Sequence, residues 1–225
     1  MSGIAGSLEP KGGGPVKLAV PRGALFAETL DALEAAGIPT AELRGSSRSL
    51  MFDAGGITLV TMRPSDVPTY VEAGAADVGI TGKDVLLEQS DRVLYELADL
   101  GFGRCRMVLA ERRGGNRLGE SERRLGAVRI ATKYPRVTER HFEATGRQAE
   151  VIEVKGSVEL APLCGLADGI VDLVATGNTL AENDLEEREV IATCTARFVA
   201  NRVAHKLRAE EVDDLMDKLG EARPR

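Results

Sequence analysis

Short apolar runs rich in β-branched residues alternate with stretches of helical periodicity from residue 16 to residue 201. VKLAV (16–20) precedes GALFAETLDALEAAG (23–37), where Leu25, Phe26, Leu30, Leu33 and Ala36 recur at helical spacing and Gly37 ends the pattern. ITLVTM (57–62) precedes PSDVPTYVEAG (64–74), with a proline in its first turn and a glycine at its end. DVGIT (77–81) precedes GKDVLLEQ. The same style resumes with CRMVLA (105–110), AVRIAT (127–132) followed by a helix from Pro135 to Thr145, VIEVK (151–155) followed by GSVELAPLCGLAD, and GIVDLVA (169–175). TARFVAN (195–201) reads as a last strand, and 206–220 as a surface helix with Leu207, Val212, Leu215, Met216 and Leu219 on one face. Strands that alternate with helices build parallel sheets covered by helices. The stretch 111–127 is charged, glycine-rich and without apolar period, and is expected to be an exposed loop.

These elements divide into two α/β lobes, 16–104 and 105–185, with 186–225 returning to the first. Residues 1–15 hold glycine, serine and proline and are expected to form a flexible lead-in. Hydrophobic residues make up 43% of the 225, enough for a real core. No apolar run approaches the ~18–20 residues that cross a bilayer. The first fifteen residues lack the basic and apolar regions of a signal peptide, so a cytoplasmic location is expected.

The net charge of −6 argues against a nucleic-acid-binding face. It leaves room for local positive potential that draws in small anions. Cys105, Cys164 and Cys194 contain no CxxC and are expected to be reduced, buried thiols. His141 and His205 are isolated from one another, and no zinc site is expected.

Ligands of such sheets bind outside the carboxyl ends of the strands. At one such end stands Thr176–Gly177–Asn178–Thr179–Leu180. A glycine lets the backbone approach an anion, two threonine hydroxyls and an amide add donors, and a helix start adds a favourable dipole. Asp172, just upstream, is an acceptor suited to ribose hydroxyls, so a ribose 5-phosphate would satisfy both halves. The same sequence would also serve as an ordinary turn. Arg22, between Pro21 and Gly23, Arg48, Arg63 and Lys83 are candidate anion ligands. Arginine meets phosphate oxygens in bidentate fashion and lysine acts as a point charge. Three of the four follow strands of the first lobe. Glu159, at a helix start, is either an acid favoured by the helix dipole or a group that meets a base or hydroxyl in a cleft.

The stretches VPRGAL, SRSLMFD, RPSDVPTYVEAGAADVGITGKDVLLE, ELADLGFGRCRMVLA, RIATKYPRVTERHF, EVIEVKGSVELAPLCGLADGIVDLVATGNTLAENDL and TARFVANRVAHK run in order over about 17–206. Together they resemble the ATP phosphoribosyltransferase family. The resemblance implies a two-lobed α/β fold of the type II periplasmic-binding-protein kind with a cleft between the lobes. It implies transfer of the phosphoribosyl group from 5-phosphoribosyl 1-pyrophosphate to N1 of ATP, the first step of histidine biosynthesis, with Mg²⁺ bound to the substrate. The length resembles the short form of the family. Short forms join a regulatory subunit similar to histidyl-tRNA synthetase, as part of a dimer or hetero-octamer. Arg48 and Arg63 are then expected at the pyrophosphate, and Asp172 at the ribose. Thr176–Leu180 is expected at the 5-phosphate, and Pro21–Gly23, Lys83 and Glu159 at ATP or phosphates. Ala175 and Ala24 depart from acidic and basic residues that some members carry there. The alternative is a two-lobed protein that binds a small anion without catalysis.

Overall fold

The computed structural model describes residues 14–45 and 49–221. Its elements in chain order are β1 (Val16–Pro21), α1 (Phe26–Ala35), α2 (Ala41–Arg44), β2 (Met51–Asp53), β3 (Ile57–Met62), α3 (Val67–Glu72), β4 (Val78–Gly82), α4 (Lys83–Glu88) and β5 (Leu94–Asp99). There follow β6 (Cys105–Arg112), α5 (Arg117–Leu125), β7 (Val128–Thr132), α6 (Pro135–Ala144), β8 (Ala149–Glu153), α7 (Leu160–Leu163) and β9 (Gly169–Val174). The chain ends with α8 (Asn178–Glu182), β10 (Leu185–Cys194), β11 (Ala196–Asn201), α9 (Arg202–Leu207) and α10 (Ala209–Glu221). Two compact units result. One holds the described residues up to Ile80, Val93–Ala98 and those from Phe198 onward; the other holds Thr81–Arg92 and Asp99–Arg197. No helix among the described residues is long and apolar enough to cross a membrane.

A six-stranded sheet runs β2-β3-β1-β4-β11-β5. β1 pairs in parallel with β3, from Val16 opposite Ile57 to Pro21 opposite Met62, and with β4 on its other side. Burial on both faces from Leu18 onward explains why this strand carries consecutive apolar residues instead of an alternating pattern, with Lys17 the one charged position, only partly buried. Asn201 ends β11 and fastens two helices. Its Oδ1 accepts from Val203 N and Ala204 N at 2.9 Å each, capping α9, and its Nδ2 donates to Val71 O at 2.8 Å.

Gly79 lies where β4 meets α3 most closely. A Cβ there would lie 2.6 Å from Val67 Cγ1 and 3.0 Å from Val71 Cγ2. Both neighbours are fully buried branched side chains that cannot swing away. Gly79→Ala is therefore expected to lower stability by about 1–3 kcal/mol. Urea unfolding checks this as a lower midpoint at unchanged slope.

The five-stranded sheet runs β10-β6-β9-β7-β8. β6 is antiparallel to β9 and β10, whereas β7 is parallel to β8 and β9. Alternate residues of β6 feed two cores. Met107 and Leu109 join Ile130, Phe142 and Val171 on one face. Val108 and Ala110 join Ala131, Val158, Ile170, Leu180 and Leu185 on the other.

Several sequence expectations change here. Residues 186–194 do not return to the first sheet; they form β10 at the edge of the second. Its charged positions suit an edge strand, and irregularities between Glu187 and Glu189 and between Val190 and Ala192 break the period of two. The expected loop at 111–127 contains α5, ended by Gly126 in the left-handed conformation at φ 73°. Leu118 is its one apolar side chain packed on the core while Leu125 is exposed, so no apolar stripe announces it. The expected helix at 206–220 is α10 with Val212, Leu215 and Leu219 buried, but Leu207 ends the separate α9 and is 68% exposed. Of the cysteines, Cys194 is buried, Cys105 is half-buried opposite it on β6, and Cys164 is exposed.

Candidate functional site

β9 leads into the Thr176–Leu180 turn. Gly177 there takes φ 86°, a left-handed conformation that glycine adopts without steric cost, and α8 starts at the next residue. The N–H groups of that first turn have no partner inside the helix. Asn178 N–H lies 3.5 Å from Thr176 Oγ1, at the limit of a hydrogen bond. Leu180 is buried among Ile170, Val174 and Leu185 and anchors the turn to the core. Glu159, Asp172, Thr176, Gly177, Thr179 and Leu180 line one cavity of about 220 Å³, with Ala175 at its wall. Asn178 is exposed and is not among the lining residues.

Asp172 is half-buried on β9. Its Oδ1 accepts from Leu173 N–H at 2.8 Å, and its Oδ2 lies 3.9 Å from Lys133 Nζ. Burial pushes the Asp172 carboxyl above the usual carboxylate range, and Glu159 pushes the same way; the Leu173 N–H and Lys133 oppose them. Glu159 occupies the N-cap position of α7 but makes no side-chain capping bond.

Two residues that the sequence reading did not single out join this region. Lys133 follows β7, whose Thr132 stands opposite Val171 of β9. Tyr134 comes next and donates its phenol to Asp84 Oδ2 at 3.1 Å. Burial and the neighbouring Asp84 hold the Tyr134 phenol far above its ordinary range, and burial raises Asp84. The available signal was a basic and an aromatic residue at a strand's carboxyl end, in ATKYP. Lys83, at the start of α4, is half-buried, and its N–H donates to Thr195 O at 2.9 Å.

The first unit carries a separate group. Arg22 and Arg63 leave β1 and β3 side by side, and Arg22 N–H donates to Met62 O at 2.7 Å. Gly23 takes φ 81° as the chain turns away after Pro21 and Arg22. The Arg22 guanidinium lies 5.5 Å from the Phe26 ring centroid. Among the described residues its Nε is buried without a hydrogen-bond partner, as is Oγ1 of Thr61, which is 3% exposed. Buried polar atoms without partners are uncommon and mark places that a water or ligand completes. Arg63 is exposed, with no ion-pair partner among the described residues. Arg48 lies outside the described residues. Ala24 is exposed.

The family model for ATP phosphoribosyltransferase, HisG, matches residues 63–221. The chain belongs to the ATP phosphoribosyltransferase family. An ATP phosphoribosyltransferase of Rubrobacter xylanophilus is 55% identical over 213 residues, covering 93% of this chain and 97% of the relative. One from Moorella thermoacetica is 46% identical over 91% of this chain and 92% of its own length. Among solved structures, the ATP phosphoribosyl transferase (HisG:HisZ) complex from Thermotoga maritima matches with TM-score 0.77 and 38% identity, covering 92% of this chain and 98% of that one. The VFT2 domain of Bordetella pertussis BvgS matches with TM-score 0.56 at 14% identity, covering 92% and 91% of the two chains, a likeness of fold alone. The two-lobed, periplasmic-binding-protein-like α/β architecture expected from the sequence is thus the fold of this ATP phosphoribosyltransferase family member.

Proposed function

We propose that the chain transfers the phosphoribosyl group of 5-phosphoribosyl 1-pyrophosphate to N1 of ATP, releasing pyrophosphate, as the first step of histidine biosynthesis. Beyond family membership, the observation that carries this is the single cavity lined by both the Asp172 carboxylate and the Gly177 turn. An acceptor for hydroxyls and a donor-rich turn within one small volume suit a phosphorylated sugar.

In the reaction, the lone pair of adenine N1 forms a bond to the anomeric carbon as the bond to pyrophosphate oxygen breaks. The transition state has oxocarbenium character, and no enzyme nucleophile is required. The protein's task is to place two polyanions and to stabilise charge growing on the leaving group. Asp172 accepts ribose hydroxyls, and Thr176, Gly177, Asn178, Thr179 and Leu180 form the 5-phosphate turn. Arg48 and Arg63 serve the pyrophosphate. Pro21, Arg22, Gly23, Lys83 and Glu159 serve ATP or phosphate groups.

Mg²⁺, bound with the phosphoribosyl substrate, would supply positive charge to the leaving pyrophosphate. The described residues include no group of three or more His, Cys, Asp or Glu that could hold a metal ion. The Thermotoga maritima relative is in a HisG:HisZ complex. By analogy this chain acts within a cytoplasmic hetero-oligomer alongside a regulatory subunit similar to histidyl-tRNA synthetase.

The test mixes the purified chain with ATP, 5-phosphoribosyl 1-pyrophosphate and Mg²⁺, and follows pyrophosphate release together with the adduct's ultraviolet absorbance. Stoichiometric formation of both products supports the assignment. Saturable binding without turnover, persisting when the regulatory subunit is added, refutes it in favour of a binding protein. Thr179→Ala is expected to raise KM for the phosphoribosyl substrate about tenfold, the scale of one hydrogen bond to a charged group, with little change in kcat. A fall in kcat at unchanged KM would instead place Thr179 in transition-state stabilisation.

A further inference from the structure

We propose that Lys133 is a positioning residue for the phosphoribosyl substrate, holding the Asp172 carboxylate as an anion that lines the cavity closed by the Gly177 turn. The inference rests on the assignment of Asp172 to the ribose.

Two carboxylates, Asp172 and Glu159, line this cavity. Among the described residues, the one ion pair to either of them comes from Lys133, 3.9 Å from Asp172 Oδ2. Its backbone is held on both sides. Thr132, fully buried, donates its hydroxyl to Val171 O at 2.8 Å and accepts from Tyr134 N–H at 2.9 Å. Tyr134 is tied in turn to Asp84. The lysine thus leaves a fixed turn beside β9, and with its side chain 40% exposed it keeps contact with water while reaching the acid.

A pair of two exposed side chains would count for little. Here the acid side chain is only 20% exposed, and the charge of one partner changes the protonation of the other. The groups that act on Asp172 are the Leu173 N–H and Lys133, which favour the anion, and Glu159, which disfavours it. The Tyr134 phenol, neutral across the working range, also stands within its field. Removing Lys133 leaves the Glu159 repulsion and the cost of burial opposed only by one backbone N–H. A larger fraction of Asp172 then carries a proton at mildly acidic pH. A protonated acid accepts ribose hydroxyls poorly, so substrate capture falls where the anion is lost.

The experiment uses the full chain, with Lys133→Met, Lys133→Arg and Asp172→Asn variants. Carboxyl-carbon NMR of the ligand-free protein follows the Asp172 resonance, identified by its loss in Asp172→Asn. In parallel, kcat/KM for 5-phosphoribosyl 1-pyrophosphate is measured from about pH 5 to about pH 9, a span that covers a raised carboxyl. Lys133→Met is expected to move the Asp172 titration and the acid limb of kcat/KM to higher pH together. Its loss of kcat/KM should be roughly two- to fivefold greater at the acid end than at the alkaline end, the scale of a partly exposed ion pair. Lys133→Arg should restore both. An unmoved Asp172 titration overturns the inference outright. A moved titration with an unmoved acid limb overturns its link to substrate, and with it the ribose role of Asp172, while turnover by the unaltered chain leaves the overall reaction standing.

Discussion

Arg63→Ala is expected to slow the chemical step by about 10²–10³-fold, the scale of losing one preorganised group that stabilises developing charge. Arg63 follows β3 directly, on backbone set by pairing with β1, and its guanidinium has no carboxylate partner among the described residues. Such a cation is not neutralised by a neighbouring acid, which suits a developing pyrophosphate anion. The exposure of Arg63 also separates catalysis from folding. A surface substitution away from packed features usually changes stability by no more than about 0.5 kcal/mol. Single-turnover kinetics under saturating ATP and 5-phosphoribosyl 1-pyrophosphate isolate the chemical step. Arg63→Lys should recover only part of the rate, because lysine keeps the charge and loses the planar fork. An unchanged chemical step in Arg63→Ala would remove this residue from leaving-group stabilisation.

Phe198→Ala is expected to cost about 3–5 kcal/mol of stability. Phe198 is fully buried in β11, which is flanked by β4 and β5 inside the six-stranded sheet. Removing the ring leaves a void between packed layers that paired strands cannot close by shifting. The total stability of a typical domain is about 5–15 kcal/mol, so the loss is a large part of it. Urea unfolding measures the cost. Signals from the two units should be read separately, because a two-unit chain need not unfold in one step. A loss below about 1 kcal/mol would mean that the surrounding side chains collapse into the space.

The α/β fold class was legible because its central strands are mostly apolar and buried. VKLAV, VRIAT and GIVDLV are short β-rich runs that suit interior strands, and helices between them end at glycines or start at prolines. Where burial is one-sided, the signal weakened. β5 and β10 stand at sheet edges, and the charged LEEREVIATC gives no clean alternation once two irregularities shift its register. α5 escaped notice because a single leucine docks it. The Gly177 turn and Asp172 were legible as a candidate site at a strand end, and the structure lines one cavity with both. The approach of Lys133 to Asp172 was not legible, because it comes from the pairing of β7 with β9, which brings residues 39 apart in sequence side by side. Burial of Asp172 is likewise a property of the assembled sheet.

The strand order of the six-stranded sheet has a consequence for the protein's birth on the ribosome. β11, residues 196–201, lies between β4 and β5, so strands made early must wait for one made late. Most of the second unit, by contrast, is a single continuous stretch, Asp99–Arg197. Synthesis usually lets N-terminal regions fold first. Here that order is inverted. The unit that begins first in the sequence finishes last, and its nascent apolar strands stay open to chaperones or to aggregation until the closing strand leaves the exit tunnel.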